Sequence, residues 1–474
     1  MTATTPPTAV IGQATLGELC AAIRGEVIRP DDDGYDEARA IWNGAHDKRP
    51  ALIIRCSGTA DVVAAVQFAR SQGLPVAVRG GGHSIAGFSS CDGGVVIDLS
   101  RMTAVRVDPA RRRAVAQGGA TWRDFDHETQ AFGLAVTGGL VSSTGIGGFT
   151  LGGGIGWLLR SHGLACDSLV GVDLVTADGR LVHADAAENA DLFWALRGGG
   201  GNFGIATSLE YELHPVGPTV VAGLLFFPAE AARQVLIGWR RLTASMPDEL
   251  TTLVNLTTAP PVPFLPESVH GKPVVVIGVM YSGPLESAED AVAPLRSLAE
   301  PILDHLGPVP YLAMQQALDP LWTRGASNYF TSAILDGLPD AALDELLAGW
   351  SAKPTAQSEM HVHHAGGAMG RVPAGGTAFF HRDAAFVLNV IARTPDGVGF
   401  ADHVRWARDT RAAMAAFGPD TMYVNFTGDD EADKVRASYP PAAYDRLVAV
   451  KNRYDPTNMF RLNQNIQPSA AARP

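Results

Sequence analysis

Arg79-Gly80-Gly81-Gly82-His83-Ser84 follows directly on Leu74-Pro75-Val76-Ala77-Val78, an apolar run that reads as a buried strand. Two further glycine runs, Gly145-Ile146-Gly147-Gly148 and Gly152-Gly153-Gly154-Ile155-Gly156, lie downstream. Glycine lets a backbone take positive φ and approach a bulky ligand with its N–H groups turned inwards. Such loops suit a pyrophosphate, whose charge is matched by backbone dipoles instead of a row of lysines. His83 adds a nucleophilic imidazole beside the first loop. Together they predict a large, phosphate-bearing cofactor held by backbone and open to covalent attachment. A chain with 52 glycines has many ordinary turns. Three runs at strand ends, one carrying His, exceed what turn chemistry asks for.

A literal G-x-G-x-x-G also occurs, Gly199-Gly200-Gly201-Asn202-Phe203-Gly204. A dinucleotide fingerprint must open a helix so that the helix N-terminus meets the phosphates. Here the following Ile205-Ala206-Thr207-Ser208-Leu209-Glu210-Tyr211-Glu212-Leu213 alternates like a strand, so an NAD site of the Rossmann kind is not expected.

At 474 residues the chain is expected to form two domains. A hydrophobic content of 46% with 18% charged residues fits a globular enzyme. A net charge of -12 argues against a nucleic-acid partner. The basic run Arg111-Arg112-Arg113 after Asp108-Pro109 reads as a solvated hairpin turn. No stretch approaches a transmembrane helix, and residues 1–7 lack the basic-then-apolar order of a signal peptide. Cys20, Cys56, Cys91 and Cys166 are scattered without C-x-x-C spacing, which predicts no zinc ribbon and no disulfide framework, and a cytoplasmic setting.

Along the chain, a helix is predicted over 61–70 and strands over 94–99 and 169–176. The breaker-rich His214-Pro215-Val216-Gly217-Pro218 marks a boundary. Beyond it, strands such as 219–227 and 274–280 and helices such as 229–243 and 340–352 predict a second α+β region. Its most unusual polar stretch is Glu359-Met360-His361-Val362-His363-His364. On a strand, Glu359, His361 and His363 share one face. No fourth ligand accompanies them, so no metal is expected. A solvated strand face accounts for the histidines as well as a substrate pocket does. Glu359 is the stronger candidate, because burial in a dry pocket raises a carboxyl towards neutrality, where it serves as a base.

The run 79–84, the stretch 144–156, Asp191-Leu192-Phe193-Trp194-Ala195-Leu196-Arg197-Gly198-Gly199-Gly200 and the tail Tyr454-Asp455-Pro456-Thr457-Asn458-Met459-Phe460 with Asn463-Gln464-Asn465-Ile466 resemble the berberine bridge enzyme-like family, FAD-linked oxidases of the vanillyl-alcohol oxidase superfamily. Ile28-Arg29-Pro30-Asp31-Asp32, Ile41-Trp42-Asn43-Gly44 and Arg49-Pro50 resemble its bacterial members, of the 6-hydroxy-D-nicotine oxidase and enterocin-pathway kinds.

The resemblance implies an α+β, two-domain PCMH-type FAD-binding fold with a substrate domain of antiparallel sheet covered by helices. Its limits would be 1–215 for the FAD domain (core about 46–215), 216–425 for the substrate domain and 426–474 for a segment returning to the FAD domain. It implies FAD bonded through His83. Arg79, Gly80, Gly81, Gly82, Ser84, Gly145, Gly147, Gly148, Gly153, Gly154, Asn425, Asn463 and Asn465 would hold the cofactor. Val141 stands where many relatives carry a second, cysteinyl attachment, so a single link is expected; Cys166 does not fit that position. Thr144 stands at the oxygen-gating position, and its size favours O₂ access. Phe149 replaces a histidine near the flavin. Met422-Tyr423-Val424-Asn425-Phe426 resembles a Tyr-x-Asn-Tyr stretch whose second tyrosine is the base in several relatives; Phe426 cannot take that proton. Tyr423, on a strand face shared with Asn425, is a remaining candidate. Tyr329 is a candidate pocket aromatic or a packed core residue.

The expected activity is oxidation of a small-molecule alcohol, amine or secondary metabolite, with O₂ as partner and H₂O₂ as product, by a monomer or homodimer. An oxygenase of natural-product biosynthesis and a non-catalytic FAD-fold binding or resistance protein are the alternatives.

Overall fold

A computed structural model describes residues 11–428 and 432–470. The leading residues 1–7, and parts of the expected 1–215 and 426–474 segments, lie outside these. Three parallel strands, Leu52–Arg55, Val76–Arg79 and Val95–Asp98, form a small sheet, with Glu26–Ile28 antiparallel at its edge. Parallel strands are buried on both faces, which is why they read as continuous apolar runs. The helix Thr59–Ser71 covers this sheet with Val62, Ala65, Val66 and Ala69. Asp61 in its first turn accepts the backbone N–H groups of Arg24, Gly25 and Ser57, tying the helix start to the strand ahead of it.

A five-stranded antiparallel sheet follows, ordered Val105–Asp108, Arg113–Gln117, Ile205–Glu212, Leu169–Val175, Leu181–Asp185. The first two strands form the hairpin that carries Arg111 and Arg112 at its solvated turn, Arg112 at φ 51°. The G-x-G-x-x-G segment runs into the strand Ile205–Glu212, as its alternation indicates.

Strands from Thr219–Pro228 to Phe386–Thr394 build one eight-stranded antiparallel sheet. Its central order is Pro273–Tyr281, Leu250–Thr258, Glu359–His364, Phe386–Thr394, Ser327–Leu335. Ala232–Thr243, Ala288–Arg296, Asp340–Ser351 and Phe400–Met414 cover one face through Trp239, Val292, Leu346 and Trp406. Strand period 2 sends Met360 and Val362 into this helical layer and His361 and His363 to the opposite face. The helix expected from 229 begins with a 3₁₀ turn at Ala229–Ala231 before the α-helix Ala232–Thr243.

After residue 422 the chain leaves this sheet and packs back on the first half. Leu447, Val450, Tyr454 and Ile466 join Phe193, Trp194 and Phe203 in one core. A fully buried pair, Lys451 to Asp455 at 2.7 Å, secures the return, because Lys451 also donates to the carbonyls of Asn202 and Phe460. Two charges at that depth are tolerated only when geometry and further hydrogen bonds satisfy them.

Candidate active site

The strand Val76–Arg79 delivers Gly80-Gly81-Gly82-His83 to a cavity of about 350 Å³. Gly82 takes φ +73° there. A Cβ on Gly81 would lie 2.4 Å from the nitrogen of Gly145, and one on Gly145 would lie 2.3 Å from the nitrogen of Gly81. The two loops therefore meet backbone to backbone, which no larger residue permits. Gly199, Gly200, Gly201 and Gly204 form a third glycine wall, and Phe460, Asn463 and Gln464 of the returning segment another. No Lys, Arg, Asp or Glu is among the lining residues.

His83 lies on this wall with its ring stacked on Trp42, centroids 4.8 Å apart at 20°. Its Nε2 is 2.9 Å from Ser143 Oγ. Burial, reinforced by the Arg324 charge, pushes the imidazole down to about 4, so it is neutral at physiological pH. Val141 and Thr144 line the cavity near it. Cys166 is fully buried away from the wall, its thiol pushed well up by desolvation.

Of the residues expected around the cofactor, Gly80, Gly81, Gly82, Ser84, Gly145, Gly147, Gly148, Asn425 and Asn463 line the cavity. Arg79 does not. It is buried in an ion pair with Asp98 and donates to the carbonyls of Ser89 and Ala38, so it braces the strand end instead of facing a ligand. Gly153 and Gly154 also sit off the wall, packed against Phe379 and against Ala165 and Phe149. Asn465 is likewise off it, although its Oδ1 is buried without a partner.

The open face of the large sheet forms another wall of the cavity. His361, His363 and Asn389 line it, His361 opposite Asn389 in strand register. Trp42, Trp322, Phe330 and Phe426 enclose them. His363 stacks on Phe426 at 5.6 Å, and its Nε2 is buried without a partner. Burial and the neighbouring His361 push its pKa down to about 3.

Glu359 departs from expectation. It lies behind His361, off the cavity wall, and its carboxylate accepts three hydrogen bonds: His361 Nε2 at 2.8 Å, Asn255 Nδ2 at 2.9 Å and Thr257 Oγ1 at 2.8 Å. Burial alone would raise its pKa, but His361 and these donors outweigh it and pull the carboxyl down to about 2. Glu359 is thus an anion that fixes His361, and the expected near-neutral base is corrected.

Tyr423 is corrected too. The expected strand is a 3₁₀ turn at Val424–Phe426, which folds Asn425 back over the phenol. The Tyr423 oxygen accepts from Gly154 N–H at 2.7 Å and Asn425 Nδ2 at 2.8 Å, and burial pushes its pKa above the ordinary phenol range. It is a brace for the glycine loop, while Phe426 reaches the cavity. Tyr329 points into the helical layer, where its hydroxyl accepts from Arg408 Nε at 3.3 Å; its neighbour Phe330 takes the cavity side.

Trp42, Trp322, Asn389 and the Gly199–Gly201 wall were not singled out from sequence as site residues. A lone asparagine in the apolar strand Phe386–Thr394 was the available signal for Asn389. Among the described residues no group of three His, Cys, Asp or Glu could hold a metal ion, and no helix is long and apolar enough to cross a membrane.

Residues 50–185 match the FAD binding domain family, and residues 422–467 match the family described as berberine and berberine like. The chain is 34% identical to (R)-6-hydroxynicotine oxidase of Paenarthrobacter nicotinovorans over 95% of its own length and 98% of that protein. The solved 6-hydroxy-D-nicotine oxidase from Arthrobacter nicotinovorans superposes with a TM-score of 0.83 at 31% identity, covering 94% of this chain and 98% of that one. A glucooligosaccharide oxidase from Acremonium strictum, with a 6-S-cysteinyl, 8α-N1-histidyl FAD, shares the fold at a TM-score of 0.84 and 23% identity, covering 96% and 99%. The cavity fits FAD. Its glycine walls leave room for close backbone approach, its lining without Lys, Arg, Asp or Glu matches a pyrophosphate held by N–H groups, and the unpartnered Asn463 Oδ1 lies beside it. This α+β chain, with a PCMH-type FAD-binding fold, belongs to the berberine bridge enzyme-like family of FAD-linked oxidoreductases.

Proposed function

We propose that the enzyme oxidises an uncharged small molecule at a C–H bond beside an alcohol, an amine or another activated carbon, with O₂ as final acceptor and H₂O₂ as product. It is carried by one cavity, lined by no Lys, Arg, Asp or Glu, on whose walls lie both His83 and the His361–His363–Asn389 face. FAD, when bound, supplies the two-electron acceptor for the C–H bond. His83 holds it as the sole covalent link, because Val141 cannot form a thioether and Cys166 is buried elsewhere.

The chain's own part is binding and proton handling. Glu359 holds Nε2–H of His361 and so fixes the ring, which leaves Nδ1 as the nitrogen that exchanges a proton with the substrate's O–H or N–H. Asn389 Oδ1 and His363 Nε2, both buried and unpartnered, orient the substrate, the first as a hydrogen-bond acceptor and the second as donor or acceptor according to its tautomer. The aromatic walls exclude water. Thr144 keeps the wall near the cofactor narrow-sided and accessible to O₂. In this reading 1–215, 216–425 and 426–474 act as FAD, substrate and returning segments of a cytoplasmic monomer or homodimer.

The test is peroxide release from the purified yellow protein across a panel of neutral alcohols and amines, with 6-hydroxynicotine included because a relative's name specifies it. Acid precipitation and peptide mapping on the same protein locate the flavin. Colour that stays with the precipitate on a single His83 peptide, and peroxide with at least one compound, support the reading. Free flavin in the supernatant removes the covalent link. Absence of both flavin bleaching and peroxide across the panel removes the oxidase.

A further inference from the structure

Ser143 sits between two residues that are themselves tied down. Asp319 accepts both the backbone N–H of Ser142 at 2.8 Å and its hydroxyl at 2.6 Å. The N–H of Thr144 closes a turn onto the carbonyl of Val141, and Gly145 abuts Gly81. On the other side, Trp42 stacks on His83, and its backbone N–H donates to the carbonyl of Gly82. Ser143 itself lies off the cavity wall, so its hydroxyl acts on the ring and not on a ligand.

This inference rests on the proposed attachment of FAD to His83. We propose that Ser143 is a positioning residue for that attachment: its Oγ accepts the hydrogen bond from His83 Nε2–H, which leaves the lone pair on Nδ1, and the bond to the FAD 8α carbon forms there.

A serine hydroxyl can also donate, which would put the proton on Nδ1 and make Nε2 the nucleophile. Geometry disfavours that arrangement. Nε2 is 2.9 Å from Ser143, so a lone pair there is already occupied and turned from the cavity. Nδ1 has no partner among the described residues, and the ring lines the cavity.

One C–H bond of the 8α methyl breaks and a C–Nδ1 bond forms. The electron pair of that C–H bond reduces the ring system of FAD by two electrons, and the methyl proton leaves to solvent. O₂ then takes the two electrons, with two protons, to give H₂O₂ and restore the oxidised cofactor. At the moment of bond formation His83 becomes a cation, Nδ1-alkylated and Nε2-protonated. A site that pushes the free imidazole down to about 4 disfavours such a charge. A fixed acceptor on Nε2–H offsets this, since hydrogen bonds to charged groups are stronger than neutral ones.

The test uses the full-length chain expressed under flavin limitation and then supplied with FAD. Acid-stable flavin is followed over time, and the linking nitrogen is identified by NMR of the released flavin peptide. Wild type should link through Nδ1. Ser143→Ala should still take up FAD reversibly and keep its melting temperature, but attach about 10- to 100-fold more slowly, with Nε2-linked product appearing. Ser143→Thr, which retains the hydroxyl, should recover most of the rate and the Nδ1 link. Attachment of Ser143→Ala at the wild-type rate through Nδ1 overturns the role of Ser143 while leaving the His83 link intact. Wild-type protein that binds FAD yet never forms acid-stable flavin overturns the link and, with it, this inference.

Discussion

Two walls of the cavity are built by different means. The glycine wall is backbone: Gly81 and Gly145 touch where a side chain would collide, and no Lys, Arg, Asp or Glu takes part. The wall on the sheet face is side chains, and its chemistry depends on which hydrogen bond each makes. Glu359 and His361, two residues apart on one strand, divide into a buried anion and the ring it orients. Loops of glycine declare their purpose by composition. A strand face acquires its purpose only from what packs around it.

The largest effect expected from breaking this contrast is at Gly81. Gly81→Ala places a methyl 2.4 Å from the Gly145 nitrogen, a backbone atom that cannot swing away. The purified variant should be colourless, or insoluble. Yellow protein with normal flavin content would mean that the loops yield and that the backbone wall is not obligatory.

Next comes the sheet-face wall. His361→Ala should slow anaerobic reduction of the flavin by substrate by ~10²–10⁴-fold, the usual cost of losing a general base. Glu359→Gln should lose a smaller part of that rate and shift its pH profile, because the ring stays but its anchoring charge is gone. Tyr423→Phe should leave the rate within a few-fold. It should instead cost ~1–3 kcal/mol of stability, since the Gly154 N–H loses its acceptor in a buried site. A larger rate loss at Tyr423 than at His361 would reverse the assignment.

Two buried carboxyls sharpen the contrast through pH. Asp126, on the helix Trp122–Gln130, receives one hydrogen bond, from Gln315 Nε2 at 3.0 Å, and desolvation pushes it up to about 7. Its unfolded value is ~4. The folded state therefore holds a proton that the unfolded state has lost, and the stability contribution declines as pH rises from about 4 to about 7. Glu359 has the opposite sign: its contribution is complete above its ordinary value of 4.5 and is lost as pH falls towards about 2. Melting temperatures between pH 4 and 8 should fall less steeply in Asp126→Asn than in wild type. Glu359→Gln should melt lower at neutral pH, with the difference shrinking in acid. Parallel curves for wild type and Asp126→Asn would mean that the Asp126 carboxyl is hydrated.

The smallest effect expected is at Thr144, on the cavity wall. Thr144→Leu should slow reoxidation of the reduced enzyme in air without changing its reduction by substrate. An unchanged reoxidation rate would remove the oxygen-access role.

The glycine loops, the place of His83 beside them, the family, the strand that follows the G-x-G-x-x-G match and the period-2 face of residues 359–363 were all legible in the sequence. Each depends on local geometry: a positive φ, a strand's alternation, or a motif whose residues are adjacent in the chain. Tertiary structure decided the rest. Glu359 had the right composition for a base, yet three donors from other positions, Asn255, Thr257 and His361, made it an anion instead. Tyr423 looked like a strand residue until a 3₁₀ turn folded Asn425 onto its hydroxyl. Arg79 belongs to the motif but is spent on Asp98, and Tyr329 exchanged places with Phe330 because the helical layer lies on its side of the sheet. A titratable side chain takes its charge from partners distant in sequence, and a strand residue takes its role from the layer it faces. Neither is written in the residue's own neighbourhood.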